Sequence, residues 1–419
     1  MRVLLLASNT ERINMVTLPL GLGLVAAATR RAGHDVTFLD LLNANDPDAA
    51  VRRAFEAARP EVVGISVRNI DDQTRDNPRF LLEQVKPVVE TCRACSRVPV
   101  VLGGPGYSIF PEAALAYLGA DFGVCGDGEA AFPALLDCLQ AGCDPADVPG
   151  VHVRGQQPRV KPLFPADLDA FPLWDEVLEA PSHADSSDLW IPLQGRRGCP
   201  NDCSYCSTAR IQGRRIRARS PRQVAGRVAL LLQAGFRRFY FVDNSFNIPE
   251  SHAFELCRCL KEIAPEATWR CILYPHRVGE ELVRAMAESG CVEVSLGFES
   301  GSERVLREMN KRFAPADVRA TSDLLAAHGI RRMGFLLLGG PGETRETVEQ
   351  SLAFADSLHL DFLKITVGIR IYPGTPLARR AVEEGMISAD DDLLFPRFYL
   401  APGLEPWIQE RVARFEARG

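Results

Sequence analysis

The chain has 419 residues, of which 46% are hydrophobic and 24% charged, with a formal net charge of −6. That is the composition of a globular protein long enough for two or three domains, each able to bury a core of its own. The balance of 48 basic against 54 acidic residues argues against a general nucleic-acid binder, and no apolar run reaches the ~20 residues a bilayer span needs.

The first stretch alternates short apolar runs with helical patterns. Strands are predicted at Val3–Ala7, Val36–Leu41, Val62–Val67, Val98–Leu102 and Phe122–Cys125. Helices fit near Leu18–Arg31, Pro47–Ala58, Arg79–Cys92, Pro111–Leu118 and Ala130–Leu139. Strands alternating with helices read as βαβ units and a parallel sheet, here a doubly wound, Rossmann-like domain over residues 1–140. Residues 141–188 break the rhythm with many Pro, Asp and Gly, and read as a linker or strap. The alternation restarts over residues 189–376. Strands are predicted at Leu189–Leu193, Arg238–Val242, Thr268–Leu273, Glu293–Gly297, Met333–Leu338 and Phe362–Ile371. Helices fit at Pro221–Ala234, Ser251–Ile263, Glu280–Ser289, Ser302–Met309, Pro315–His328 and Arg345–Leu358. Eight such units close a barrel; six give a partial (β/α)6 barrel of TIM type, open on one side. Residues 377–419 form a short C-terminal extension. The N-terminal apolar run is too short for a signal-peptide core, so a cytoplasmic location is expected.

In a reducing compartment, 12 Cys point to buried thiols, metal or catalysis rather than disulfides. Three lie close together right after the first strand of the second domain, as Cys199-Pro200-Asn201-Asp202-Cys203-Ser204-Tyr205-Cys206. Three thiolates on one loop can hold three irons of a 4Fe–4S cluster and leave the fourth open for chemistry. Zinc would need a fourth ligand, and no His lies within a dozen residues. Cys92 and Cys95 have CxxC spacing but fall at a helix C-terminus, where nothing lowers a thiol pKa. Cys257, Cys259, Cys271 and Cys291 read as core packing. The Arg-rich run from Arg214 to Arg219 reads as a solvated face.

This loop, on a six-unit barrel, resembles the radical S-adenosylmethionine (SAM) enzymes. The resemblance implies that Cys199, Cys203 and Cys206 hold the cluster and that its open iron chelates SAM. An electron passed to the sulfonium then yields a 5′-deoxyadenosyl radical. Further positions carry the same implication. Tyr205 takes the aromatic place before the third Cys, against the adenine. Asp243, Asn244 and Ser245 end the second strand, where the family holds the SAM amino group. Glu299 and Ser300, within Glu-Ser-Gly-Ser, would reach the ribose hydroxyls. Gly339 and Gly340 would meet the adenine through their backbone. Tyr274 and His276, beyond the third strand, are candidate acid–base groups facing the cavity.

A doubly wound domain ahead of such a barrel is similar to the cobalamin-binding domain of class B radical SAM enzymes. The family's Asp-x-His-x-x-Gly loop is replaced by Ser8-Asn9-Thr10-Glu11-Arg12-Ile13-Asn14, so no His from that loop reaches cobalt. Ser66, Gly103, Gly104, Gly126 and Glu129 stand at strand ends suited to cobalamin, and Arg68 or Asn69 would lie beneath the corrin. A dinucleotide reading is weak, because no G-x-G-x-x-G follows the first strand. The resemblance implies a cobalamin-dependent methylase that transfers methyl to an unactivated carbon through methylcobalamin. Non-methylating radical chemistry (cyclisation, rearrangement, aminocarboxypropyl transfer) and a non-catalytic cobalamin or redox sensor are the alternatives. The expected partners are a small-molecule or peptide substrate and an electron donor such as flavodoxin or ferredoxin, with no nucleic acid and no membrane, acting on a monomer.

Overall fold

A computed structural model describes residues 1–11, 18–174 and 189–417. Arg12, Ile13 and Asn14 of the first-strand loop, and residues 175–188 of the expected strap, lie outside the described residues. The N-terminal half runs β1 (Arg2–Ala7), α1 (Leu20–Arg31), β2 (Asp35–Asp40), α2 (Pro47–Ala58), β3 (Val62–Ser66), α3 (Leu82–Cys95) and β4 (Val100–Gly103). It continues with α4 (Pro105–Ile109), α5 (Pro111–Leu118), β5 (Phe122–Val124), α6 (Gly128–Ala141) and β6 (Val151–Val153). The sheet order is β2-β1-β3-β4-β5-β6, and all pairs are parallel except β5 with β6. Strand β1 shows why its sequence is an unbroken apolar run. Leu4 and Leu6 pack into one core and Val3 and Leu5 into another, so both faces are buried.

The second half runs β7 (Ile191–Leu193), β8 (Arg196–Arg197), α7 (Thr208–Gln212), β9 (Arg217–Ala218), α8 (Pro221–Gln233), β10 (Arg238–Phe241), α9 (Glu250–Ile263) and β11 (Thr268–Leu273). Then come α10 (Glu280–Glu288), β12 (Cys291–Glu299), α11 (Glu303–Glu308), α12 (Pro315–Ala327), β13 (Arg331–Leu338), α13 (Arg345–Ser357) and β14 (Phe362–Val367). The chain ends with β15 (Ile369–Arg370), α14 (Pro376–Glu383), β16 (Phe398–Tyr399) and α15 (Trp407–Glu416). The second sheet is six-stranded, in the order β14-β13-β12-β11-β10-β7, with every pair parallel. It is the open, partial barrel expected from six βα units.

Several elements differ from the sequence reading. Strand β6 lies inside the stretch read as a strap. The predicted strand Phe362–Ile371 is broken at Gly368, whose φ of +81° turns the chain out of the sheet. A Cβ there would stand 2.5 Å from Arg75 Cδ. Beyond the turn, β15 pairs antiparallel with β16 of the C-terminal extension. The largest core cluster contains Leu4, Val63 and Leu102 of the first sheet together with Phe298, Leu336 and Leu338 of the second. Among the described residues no helix is long and apolar enough to cross a membrane.

Candidate active site

The three-cysteine loop is pinned from several sides. It leaves the β8–β9 hairpin at Gly198, whose φ is +88° and whose Cβ would stand 2.1 Å from Arg215 O, so only glycine fits. Cys199 N donates to Gly213 O at 3.1 Å and Ser204 N to Met309 O at 3.0 Å, while Ser204 O accepts from Leu377 N at 2.9 Å. Cys199 and Cys203 are half-buried and Cys206 is exposed. Burial pushes the Cys199 and Cys203 thiols up, while the Lys311 ammonium pulls them down. Cys206 Sγ lies 3.2 Å from Thr208 Oγ1 and accepts from Thr208 N at 3.5 Å. Among the described residues no three His, Cys, Asp or Glu side chains converge on one metal-ion position. A cubane cluster differs from a mononuclear site in that each thiolate takes a different iron corner.

Tyr205 OH donates to Glu299 Oε1 at 2.9 Å, and Lys311 Nζ reaches the same oxygen at 3.1 Å. Lys311 also lies 5.3 Å from the Tyr205 ring centroid. Burial works against its charge, but Glu299, Tyr205 and Cys203 together outweigh burial and hold the ammonium well above its ordinary pKa. Glu299 adopts a left-handed φ of +62° at a register shift in β12, which swings its carboxylate out of the sheet alternation. Both bonds end on Oε1, leaving Oε2 for a further donor.

Other predicted positions are engaged elsewhere. Asp243 is 1% exposed, and its Oδ1 accepts from Gly195 N at 2.9 Å and Arg196 N at 3.0 Å. Its carboxylate therefore braces the start of the hairpin, and burial raises its pKa. Ser245 Oγ donates to Asn244 O at 2.8 Å. Ser300 is fully buried against Ser351 of α13, their hydroxyls 2.9 Å apart. The Gly339 and Gly340 amides both donate to Glu343, and their carbonyls accept from Ala401 N and Glu343 N. Both amides are taken, so a backbone contact with the adenine would fall to the carbonyls, each of which keeps a second lone pair. Tyr274 OH accepts from Arg312 N at 3.0 Å, and its ring packs 5.0 Å from Phe313. His276 Nδ1 is buried without a hydrogen-bond partner. Neither Tyr274 nor His276 lines the cleft described next.

The carboxyl ends of the first sheet face a cleft of about 1620 Å³, counted out to its open mouth, and none of the three cysteines lines it. Ser66, Arg68, Gly103, Gly104, Gly126 and Glu129 line it, whereas Asn69 does not. Gly104 has a φ of +95°, and a Cβ there would stand 2.6 Å from Val67 O, so the strand end needs a bare backbone. Burial lowers the pKa of Arg68, opposed by Tyr240 of β10. The Glu129 carboxylate is not available to a ligand. Arg197 Nη1 donates to Glu129 Oε2 at 3.1 Å and pairs with Asp127 Oδ1 at 3.2 Å, and Arg217 also pairs with Asp127. Burial raises the Glu129 pKa, but Arg197 outweighs it and holds the carboxyl below its ordinary range. Arg217 and Arg219 are buried at 3% and 4% exposure, so the run is only partly the solvated face it reads as. Arg219 donates to Phe171 O at 3.0 Å, tying the strap down. The barrel side of the cleft is lined by Gln194, Arg197, Gln212 and Val242. None of Gln194, Arg197, Gln212, Asp127 or Lys311 was singled out from sequence. Lys311 had one signal, being among few Lys in a chain whose basic residues are nearly all Arg.

Residues 194–355 match the family model described as the radical SAM superfamily, and residues 9–136 match the B12 binding domain. The chain is 27% identical over 402 residues to an uncharacterised methyltransferase of Pyrococcus horikoshii, covering 92% of this chain and 84% of that protein. It is 26% identical over 474 residues to cytidylyl-2-hydroxyethylphosphonate methyltransferase of Streptomyces wedmorensis, covering 96% and 85%. In fold it is similar to the radical S-adenosylmethionine methyltransferase TsrM of Kitasatospora setae with cobalamin and a [4Fe-4S] cluster bound. That likeness has a TM-score of 0.86 at 23% identity and covers 99% of this chain and 90% of that one.

Proposed function

We propose, from the premise that this chain belongs to the cobalamin-binding (class B) radical SAM enzymes, that it methylates an unactivated carbon of a small-molecule substrate. One observation carries the reading: the glycine-rich strand ends of a cobalamin-type sheet line a cleft whose barrel wall adjoins the three-thiol loop, since Gln212 of that wall accepts from Gly198 N, next to Cys199, at 3.1 Å. When bound, the cluster supplies the electron that cleaves SAM, and cobalamin supplies the methyl carrier.

The chain's own residues then have these tasks. Cys199, Cys203 and Cys206 hold the cluster and leave one iron open. Asn244 Nδ2 donates to Gln212 Oε1 at 2.7 Å, so its Oδ1 is the acceptor left for the SAM ammonium. Glu299 Oε2 takes the ribose hydroxyls while Tyr205 and Lys311 fix Oε1. Arg68, which lines the cleft, would present a cation to bound cobalamin. Gly103, Gly104 and Gly126 let the backbone approach the nucleotide tail. The cleft excludes water between the two cofactors. An external one-electron donor of the flavodoxin or ferredoxin class, and action as a monomer, complete the proposal.

The test is anaerobic. Protein reconstituted with iron, sulfide and hydroxocobalamin, then given SAM and dithionite, should release 5′-deoxyadenosine and S-adenosylhomocysteine. 5′-Deoxyadenosine, which needs the cluster's electron, should vanish in the Cys203→Ala variant. Wild-type protein that binds both cofactors yet releases neither product would overturn the catalytic reading in favour of a sensor.

A further inference from the structure

The barrel wall of the cleft carries two glutamines whose orientation is set by chemistry. Gln194 Oε1 accepts from Arg197 Nε at 2.7 Å. Gln212 Oε1 accepts from Gly198 N at 3.1 Å and from Asn244 Nδ2 at 2.7 Å. A guanidinium N–H and a backbone N–H can only donate, so each amide must turn its oxygen toward them. Each NH2 group is thereby turned away from these donors. Among the described residues neither Nε2 donates a hydrogen bond, and neither is a fully buried atom, while both residues line the cleft. The barrel therefore presents a pair of amide donors to the cleft, facing the strand ends of the first sheet.

A donor pair needs acceptor oxygens. We propose that Gln194 and Gln212 clamp the corrin of cobalamin from the barrel side, by donating to carbonyl oxygens of its peripheral amide side chains. The inference rests on the cobalamin reading above and extends it to the wall opposite the cobalamin-type sheet. It also gives Gln212 a second consequence. Its oxygen touches Gly198, next to Cys199, and Asn244, so one side chain joins the corrin wall to the cluster loop and the second-strand end. A substrate carboxylate offers the same acceptor chemistry, and the experiment separates the two by leaving substrate out.

The variants are Gln194→Glu and Gln212→Glu. Each keeps the acceptor oxygen that its fixed donors use and replaces the NH2 with a second oxygen. Hydroxocobalamin is titrated into the cluster-reconstituted protein and followed by its visible spectrum and by equilibrium dialysis, with no substrate present. Each variant should bind about tenfold more weakly, and the double variant about a hundredfold. Iron content and the cluster absorbance should stay at wild-type values, which shows that the fold and the loop are intact. Affinities within twofold of wild type would overturn the proposal and hand the donors to the substrate. Wild-type protein that fails to bind hydroxocobalamin at all would instead overturn the cobalamin reading, and this inference with it.

Discussion

Glu343 lies just past the end of β13, 4% exposed, with Oε2 accepting from Gly340 N at 3.0 Å and from Gly339 N, while Oε1 has no partner. Burial pushes its carboxyl up to about 7, against the pull of the two amides. The unfolded chain holds this proton near the ordinary 4.5, so the folded chain binds it more tightly. The group's contribution to stability is therefore complete below that ordinary value and is lost as pH rises through the folded pKa. A shift of this size corresponds to at most about 3 kcal/mol. Glu343→Gln has no proton to lose. Urea melts across this window should show wild type losing stability relative to the variant as pH rises. A difference that does not change with pH would show that ionisation of Glu343 is not the cause. The residue scale also separates what was legible from what was not. The cysteine spacing carries its chemistry within eight residues, so sequence alone could find it. The Lys311–Glu299–Tyr205 contact joins three distant segments, and the engagement of Asp243 by the Gly195 and Arg196 amides and of Glu129 by Arg197 depends on side-chain direction. No local pattern announces either.

The hairpin of β8 and β9 is the element on which the site depends. Its two residues per strand bracket the cysteine loop, pairing Arg196 with Ala218 and Arg197 with Arg217. Gly198 is where the chain leaves it, in a left-handed conformation and against Arg215 O. Gly198→Ala forces a Cβ into a backbone oxygen that cannot move without opening the hairpin. The expected result is a cost of about 1–3 kcal/mol and a clear loss of iron per chain after reconstitution. Full iron loading in a stably folded variant would show that the loop closes without this turn. The central strands were readable because burial on both faces makes them continuous apolar runs bounded by turn residues. Strands β6, β15 and β16 were not. Each has two or three residues and is set by the partner it meets, a non-local condition. Gly368 was the available sign that the predicted sixth barrel strand stops early.

At the scale of the whole molecule, the two sheets share a core and a buried charge cluster. Phe298 and Leu336 of the second sheet belong to the same apolar cluster as Leu4 and Val63 of the first. Above that core, Arg197, at 9% side-chain exposure, bridges the Asp127 and Glu129 carboxylates from the cobalamin-type sheet. Two halves joined in this way should unfold together. The composition provides a probe for each. Trp190, Trp269 and Trp407 lie in the second half, whereas Trp174 packs 5.8 Å from Phe38 of β2, so fluorescence measured in a Trp174→Phe background reports the barrel. Amide hydrogen exchange in β1 and β3 reports the other half. In wild type the two signals should give one stability. Arg197→Met removes a charge that two buried carboxylates rely on, a change that costs about 3–5 kcal/mol when one partner of a buried pair is lost. Because Arg197 belongs to the junction, both probes should lose stability in parallel. Adding Glu129→Gln should recover part of the loss, since one fewer carboxylate is then buried unpaired. Barrel fluorescence that shifts while exchange in β1 stays at its wild-type level would show that the sheets unfold independently, and that the charge cluster only steadies the loop beside Cys199.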